Sequence, residues 1–125
     1  MKIAFYIEGN PKNPGGYNQI INTTKFLSYF LNNDKENYVF IVSDNNLLNK
    51  LKEFEVEAVF YKKNLFDKLV DYLFGLNFLY QILISLNLKH SFLKFLKKKE
   101  IDLINFLSPS TLALFCEDIN FVINI

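Results

Sequence analysis

No arginine occurs among the 125 residues; all 14 basic side chains are lysines, set against 13 acidic ones. Arginine is the planar, bidentate reader of phosphate and guanine, so its absence argues against nucleic-acid recognition. A net charge of +1 predicts no strongly electrostatic partner. The single cysteine, Cys116, excludes an internal disulfide and fits a reducing compartment. The single histidine, His90, stands between Lys89 and Ser91 in a helical stretch with no partner identifiable from sequence, and reads as a surface residue. The apolar start is too short for a signal peptide and lacks a small-residue cleavage site, so a cytoplasmic location is expected. Glycine is scarce, and its spacing does not form the dinucleotide fingerprint G-x-G-x-x-G.

What is present is apolar. Half of the residues are hydrophobic and 17% are aromatic, which places the chain as one globular domain or part of one rather than a disordered segment. Lys2–Ile7 is a first strand, followed by a loop, Glu8 to Gly16, and a helix over Tyr17–Leu31 with Ile20, Thr24, Leu27 and Leu31 on one face. Tyr38–Val42 is a strand of the kind buried on both faces. Ser43 or Asp44 caps a short helix that runs through Leu51, and Glu57–Tyr61 is a third strand. Leu65–Leu88 is helical, continued or restarted over Ser91–Lys99. Asp102–Leu107 and Asn120–Ile125 are strands four and five, with a short helix over Thr111–Phe115 between them.

Strands alternating with helices require right-handed crossovers and a mostly parallel sheet. The fold expected is therefore α/β: a Rossmann-like, doubly wound sheet of about five strands with helices on both faces. Phe121-Val122-Ile123 calls for burial on both faces near the last residue, which suggests that sequence is missing; an edge strand closing a small sheet is the alternative.

Open α/β sheets bind ligands at the carboxyl ends of their strands. Glu8 follows the first strand there, and Ser108 and Ser110 follow the fourth. Gly15 and Gly16 either make the turn into the helix or let the backbone approach a ligand, and glycine serves both roles. Ser110 reads first as a cap of the next helix, Asp44 as a cap of its own, Glu8 also as an exposed loop carboxylate, and Cys116 as a small buried hydrophobe.

The order of these features resembles the amino-terminal domain of a GT-B-fold retaining glycosyltransferase. That is the large family of sucrose synthases and bacterial polysaccharide and lipid-linked-sugar hexosyltransferases. The resemblance rests on MKIAFYI, on the loop ending Pro14-Gly15-Gly16, and on the run Asp102 to Ser110 with a short helix and the strand Phe121–Ile125 after it. It implies that the glycine loop, with Tyr17 and Asn18 at the helix N-terminus, lines a cleft near the acceptor and the donor diphosphate. It further implies a second, nucleotide-sugar-binding domain, hexosyl transfer to a glycan or lipid-linked acceptor, retention of configuration, no metal and no cofactor beyond the nucleotide diphosphate sugar as co-substrate. The residues leave two alternatives open: a small flavodoxin-like binding module, and an atypical dinucleotide domain using Asp44.

Tyr72–Leu88 carries no charge over 17 residues, at the bottom of the length range for spanning a bilayer. Asn77, Gln81, Ser85 and Lys89 place a polar stripe along it, which favours a sheet-covering helix. Lys94, Lys97, Lys98 and Lys99 alternate with Phe92, Leu93, Phe95 and Leu96, so the stretch Tyr72–Lys99 is also a candidate for peripheral contact with an anionic membrane.

Overall fold

In the computed structural model, residues 1–63, 65–74, 91–108, 116 and 119–123 are described. The chain order is β1 (Ile3–Ile7), α1 (Pro14–Phe30), a 3-10 turn (Asn32–Asp34), β2 (Tyr38–Val42), α2 (Asn45–Glu53) and β3 (Val59–Phe60). Then follow α3 (Leu65–Phe74), α4 (Ser91–Lys98), β4 (Leu103–Phe106) and β5 (Asn120–Ile123). The strands form one sheet in the order β3-β2-β1-β4-β5, and every neighbouring pair is parallel. This is the Rossmann-like α/β arrangement that the alternation of apolar strands and helices predicts.

Side chains on a strand alternate between the two faces, and the register carries that alternation across the sheet. Phe5 pairs with Phe40 and Asn105, while Tyr6 pairs with Ile41 and Phe106. On one face Phe5, Ile7, Phe40 and Val42 pack with Ile21 of α1 and with Leu47 and Leu51 of α2. On the other, Ala4, Tyr6, Ile41, Ile104 and Phe106 pack with Phe92 and Leu96 of α4 and with Cys116 and Ile119. The handedness of crossovers explains the split. From β1 to β3 the chain steps one way along the sheet, and from there it crosses to β4 and steps the other way, so right-handed connections fall on opposite faces.

The structure departs from the sequence expectation at α1. The helix starts at Pro14, three residues before Tyr17, so Gly15 and Gly16 belong to its first turn and not to the preceding loop. Asn13 is the cap: its side chain accepts from the Gly16 N–H at 3.4 Å, and Pro14 occupies the first helical position. Proline presets the helical φ and has no N–H to leave unpaired there, which outweighs the poor helix propensity of two glycines. β3 is reduced to Val59–Phe60, although the Tyr61 N–H still reaches the Val42 carbonyl at 2.8 Å. Strand 4 likewise contracts to Leu103–Phe106. The expected helix over Thr111–Phe115, most of Tyr72–Leu88, His90 and Ser110 lie outside the described residues.

α4 is amphipathic, as its sequence predicts. Phe92 and Leu96 are fully buried against the sheet, and the lysines Lys94, Lys97 and Lys98 face outward. Its apolar face therefore packs on the sheet. Among the described residues no helix is long and apolar enough to cross a membrane.

Candidate functional site

The strand order reverses between β1 and β4: from β1 one connection leads toward β2, and β4 lies on the other side. In open α/β sheets the crevice outside the carboxyl ends of the strands at such a switch point is where ligands bind. A cleft of about 460 Å³ lies there. Its floor comes from the residues after β1, namely Glu8, Gly9 and Asn10, and from Ser108 after β4. Its wall is the start of α1, with Asn13, Gly16, Tyr17 and Ile20.

Glu8 is the best-anchored of these side chains. The Tyr6 hydroxyl lies 3.3 Å from its Oε1 and 2.9 Å from the Ser43 Oγ. A carboxylate only accepts, so the Tyr6 O–H donates to Glu8 and the Ser43 O–H donates to Tyr6. Tyr6 is wholly buried, and it thus fixes a half-exposed carboxylate from below. Lys63 brings its Nζ to 3.9 Å from the same Oε1. At that distance and exposure the ion pair contributes little to stability but leaves a cation beside the carboxylate. The Ser108 hydroxyl donates to the Glu8 backbone carbonyl at 3.1 Å, which ties the ends of β1 and β4 together.

The loop between Glu8 and α1 is held by asparagine turns. The Asn10 carboxamide accepts from the Lys12 N–H at 2.9 Å, and the Asn13 N–H donates to the Asn10 carbonyl at 2.9 Å. Such side-chain turns favour asparagine for a physical reason, its short amide reaching backbone two residues on. Gly9 lies under the ring of Tyr17: a Cβ there would stand 2.8 Å from Cδ2. Gly15 meets nothing within 4 Å, and neither it nor Gly16 has a positive φ. Neither a turn nor packing therefore requires glycine at position 15. The capped first turn of α1 meets the cleft through Asn13, Gly16 and Tyr17.

Of the residues singled out from sequence, Glu8, Gly16, Tyr17 and Ser108 line the cleft together. Gly15 lies in the same turn, and Asn18 is exposed and does not line it. Ser110 lies outside the described residues. Asp44 caps α2, accepting from the Leu47 N–H at 3.0 Å, as expected for a helix cap. Cys116 is wholly buried, and burial pushes its thiol up to about 12 from an ordinary 9.0. Sequence reading missed Gly9, Asn10, Asn13, Tyr6, Ser43 and Lys63. The pair Asn13-Pro14 is a cap followed by a first-turn proline, and it was the available signal for the true helix start.

A second cleft, about 520 Å³, opens at the opposite edge among Lys2, Lys35, Glu36, Glu55 and Glu57. It lies at the amino ends of the strands and mixes both charge signs without a converging set. Among the described residues no three His, Cys, Asp or Glu side chains gather as a metal site. The chain matches no family model, no curated protein and no solved structure.

Proposed function

We propose that this chain is the acceptor-side portion of a nucleotide-sugar-dependent glycosyltransferase, with its polyhydroxylated ligand in the cleft at the β1–β4 switch point. One observation carries the reading: an anchored carboxylate, amide side chains and an aromatic ring converge there beside a helix N-terminus. Carboxylates and carboxamides match the hydroxyls of a sugar, and the Tyr17 ring offers an apolar face to the ring carbons. Pro14 has no N–H and the Gly16 N–H is taken by the Asn13 side chain, so in the first turn of α1 the Gly15 N–H is the donor that suits the anionic side of a diphosphate. In this reading a second domain binds the rest of the donor and supplies the cations that stabilise the leaving diphosphate. The acceptor is a glycan or a lipid-linked sugar, and the work is done in the cytoplasm, peripherally at a membrane where the acceptor is lipid-linked.

The strand order β3-β2-β1-β4-β5 favours a nucleotide-site alternative over a flavodoxin-like one, whose order begins 2-1-3. Against a dinucleotide site stand the missing glycine fingerprint and the engagement of Asp44 in capping.

Amide-resolved NMR titration of the chain with hexoses, disaccharides, nucleotide diphosphate sugars and NAD separates these readings. Shifts at Gly9, Gly16, Tyr17 and Ser108 with the saccharides are expected. Shifts confined to NAD, centred on Asp44, would replace this reading with the dinucleotide one. Saccharide shifts spread over the surface, with none in the cleft, would remove it.

A further inference from the structure

Two amide side chains in the cleft have their orientation fixed by the backbone. A backbone N–H only donates, so the side-chain atom that meets it is the oxygen. The Asn10 Oδ1 accepts from the Lys12 N–H at 2.9 Å, and the Asn13 Oδ1 accepts from the Gly16 N–H at 3.4 Å. In both residues the NH2 end is therefore the one left for a ligand, and both residues line the cleft. Gly16 keeps room for one of them, since a Cβ there would stand 3.2 Å from the Asn13 Nδ2.

Glu8 is the opposite pole. Tyr6 and Lys63 both approach its Oε1, at 3.3 and 3.9 Å. Its Oε2 has no hydrogen-bond partner among the described residues, and a carboxylate oxygen only accepts. Among the described residues that line the cleft, Glu8 is also the one charged side chain. The hydrogen-bonding capacity left over is thus an anionic acceptor and amide donors in one cleft.

We propose that this cleft reads the hydroxyls of an uncharged sugar and rejects anionic sugars such as uronic acids. The inference rests on the saccharide reading of the site and narrows it. A hydroxyl both donates and accepts, so a sugar can donate to the Glu8 Oε2 and accept from the Asn10 and Asn13 amides. A ligand carboxylate has no proton to give Glu8, and the two like charges repel. Lys63 approaches from the Oε1 side and is not among the lining residues. It softens that repulsion without cancelling it, which leaves a discrimination of about 10-fold. The diphosphate of a donor belongs at the Gly15 N–H, outside this lining, rather than against Glu8.

NMR titration with glucose, galactose and mannose, and with the matching uronates, tests this. The proteins are the wild-type chain, Glu8→Gln and Asn13→Asp, and each spectrum shows whether its variant is folded. The neutral hexoses are expected to shift the side-chain amides of Asn10 and Asn13 and the backbone amides of Gly9 and Gly16. The uronates should bind about 10-fold more weakly, and Glu8→Gln should bring the two classes within about 2-fold of each other. Asn13→Asp keeps the capping oxygen and loses the NH2, so it should weaken neutral-hexose binding by about 10-fold while the melting temperature holds. Uronates that bind in the cleft as tightly as hexoses would overturn this inference and leave the saccharide reading standing. So would discrimination that survives Glu8→Gln, or hexose binding untouched by Asn13→Asp. No shift in the cleft with any of the sugars would overturn both.

Discussion

The ring of Tyr17 lies across Gly9 so closely that a Cβ built on the glycine stands 2.8 Å from its Cδ2. The loop after β1 and the first turn of α1 are thereby held in contact, and that contact shapes one side of the cleft. Gly9→Ala should push the ring outward. We expect a loss of about 1–2 kcal/mol, typical of overpacking, in chemical denaturation, together with altered Tyr17 resonances. Unchanged stability and an unmoved ring would mean that the contact has room to relax without consequence.

Gly15 gives the opposite expectation. Its Cβ would enter open space in a helical turn. Gly15→Ala should raise stability by about 0.5 kcal/mol, chiefly by restricting the unfolded chain. If a ligand approaches this backbone, the same variant weakens saccharide binding in the NMR titration. Gain in melting temperature with loss of binding is the signature expected; loss of stability would contradict the open geometry.

Two helices end in the same way on a residue poorly suited to it. Glu55 has φ 59° and Glu100 has φ 58°, both in the left-handed region. After α2 the Val56 N–H bonds the Leu51 carbonyl at 3.0 Å, and after α4 the Ile101 N–H bonds the Leu96 carbonyl at 3.1 Å. This is the Schellman closure, which favours glycine at the left-handed position. Glu55→Gly and Glu100→Gly should each stabilise the fold by roughly 0.5–1 kcal/mol, since a Cβ is disfavoured in that region. Urea titrations of the two single variants and the pair measure it, and a destabilised pair would rule the account out.

The α2 cap supplies a local stability test. Asp44 accepts from the Leu47 N–H at 3.0 Å, and Asp44→Ala leaves that donor to solvent. A cost of about 1 kcal/mol is expected, and Asp44→Asn should recover most of it. Equal stabilities for all three proteins would show that the cap contributes nothing.

Cys116 links stability to alkaline pH. Its thiol ordinarily ionises near 9.0, and in the folded chain burial raises this to about 12. Between those values the unfolded chain has lost the proton and the folded chain keeps it. Stability contributed by this group is therefore present in full below pH 9.0 and declines as pH rises toward 12. The slope approaches about 1.4 kcal/mol per pH unit at most. Denaturation of the wild type and Cys116→Ala between neutral and alkaline pH isolates the term, because tyrosines and lysines titrate in both. Parallel curves would refute it.

Much of the scaffold was legible because its determinants are local. Runs such as Tyr38–Val42 are apolar at every position, which only a strand buried on both faces satisfies. Asp44 before Asn45 and Leu47 is a cap on chemistry alone, and the alternation of strands and helices limits the sheet to a parallel one. The start of α1 was misread because two glycines signal a loop, whereas Asn13 and Pro14, a cap and a preset φ, were the stronger determinants. Other features have no local signal at all. Ser108 reaches Glu8 across 100 residues, and Tyr6 meets Ser43 from a different strand end, because β1 sits between β2 and β4. Strand order, and with it the cleft at the switch point, follows from how the crossovers pack on the sheet. Pairing partners far apart in sequence are chosen by burial of whole faces, and only the folded arrangement decides which faces those are.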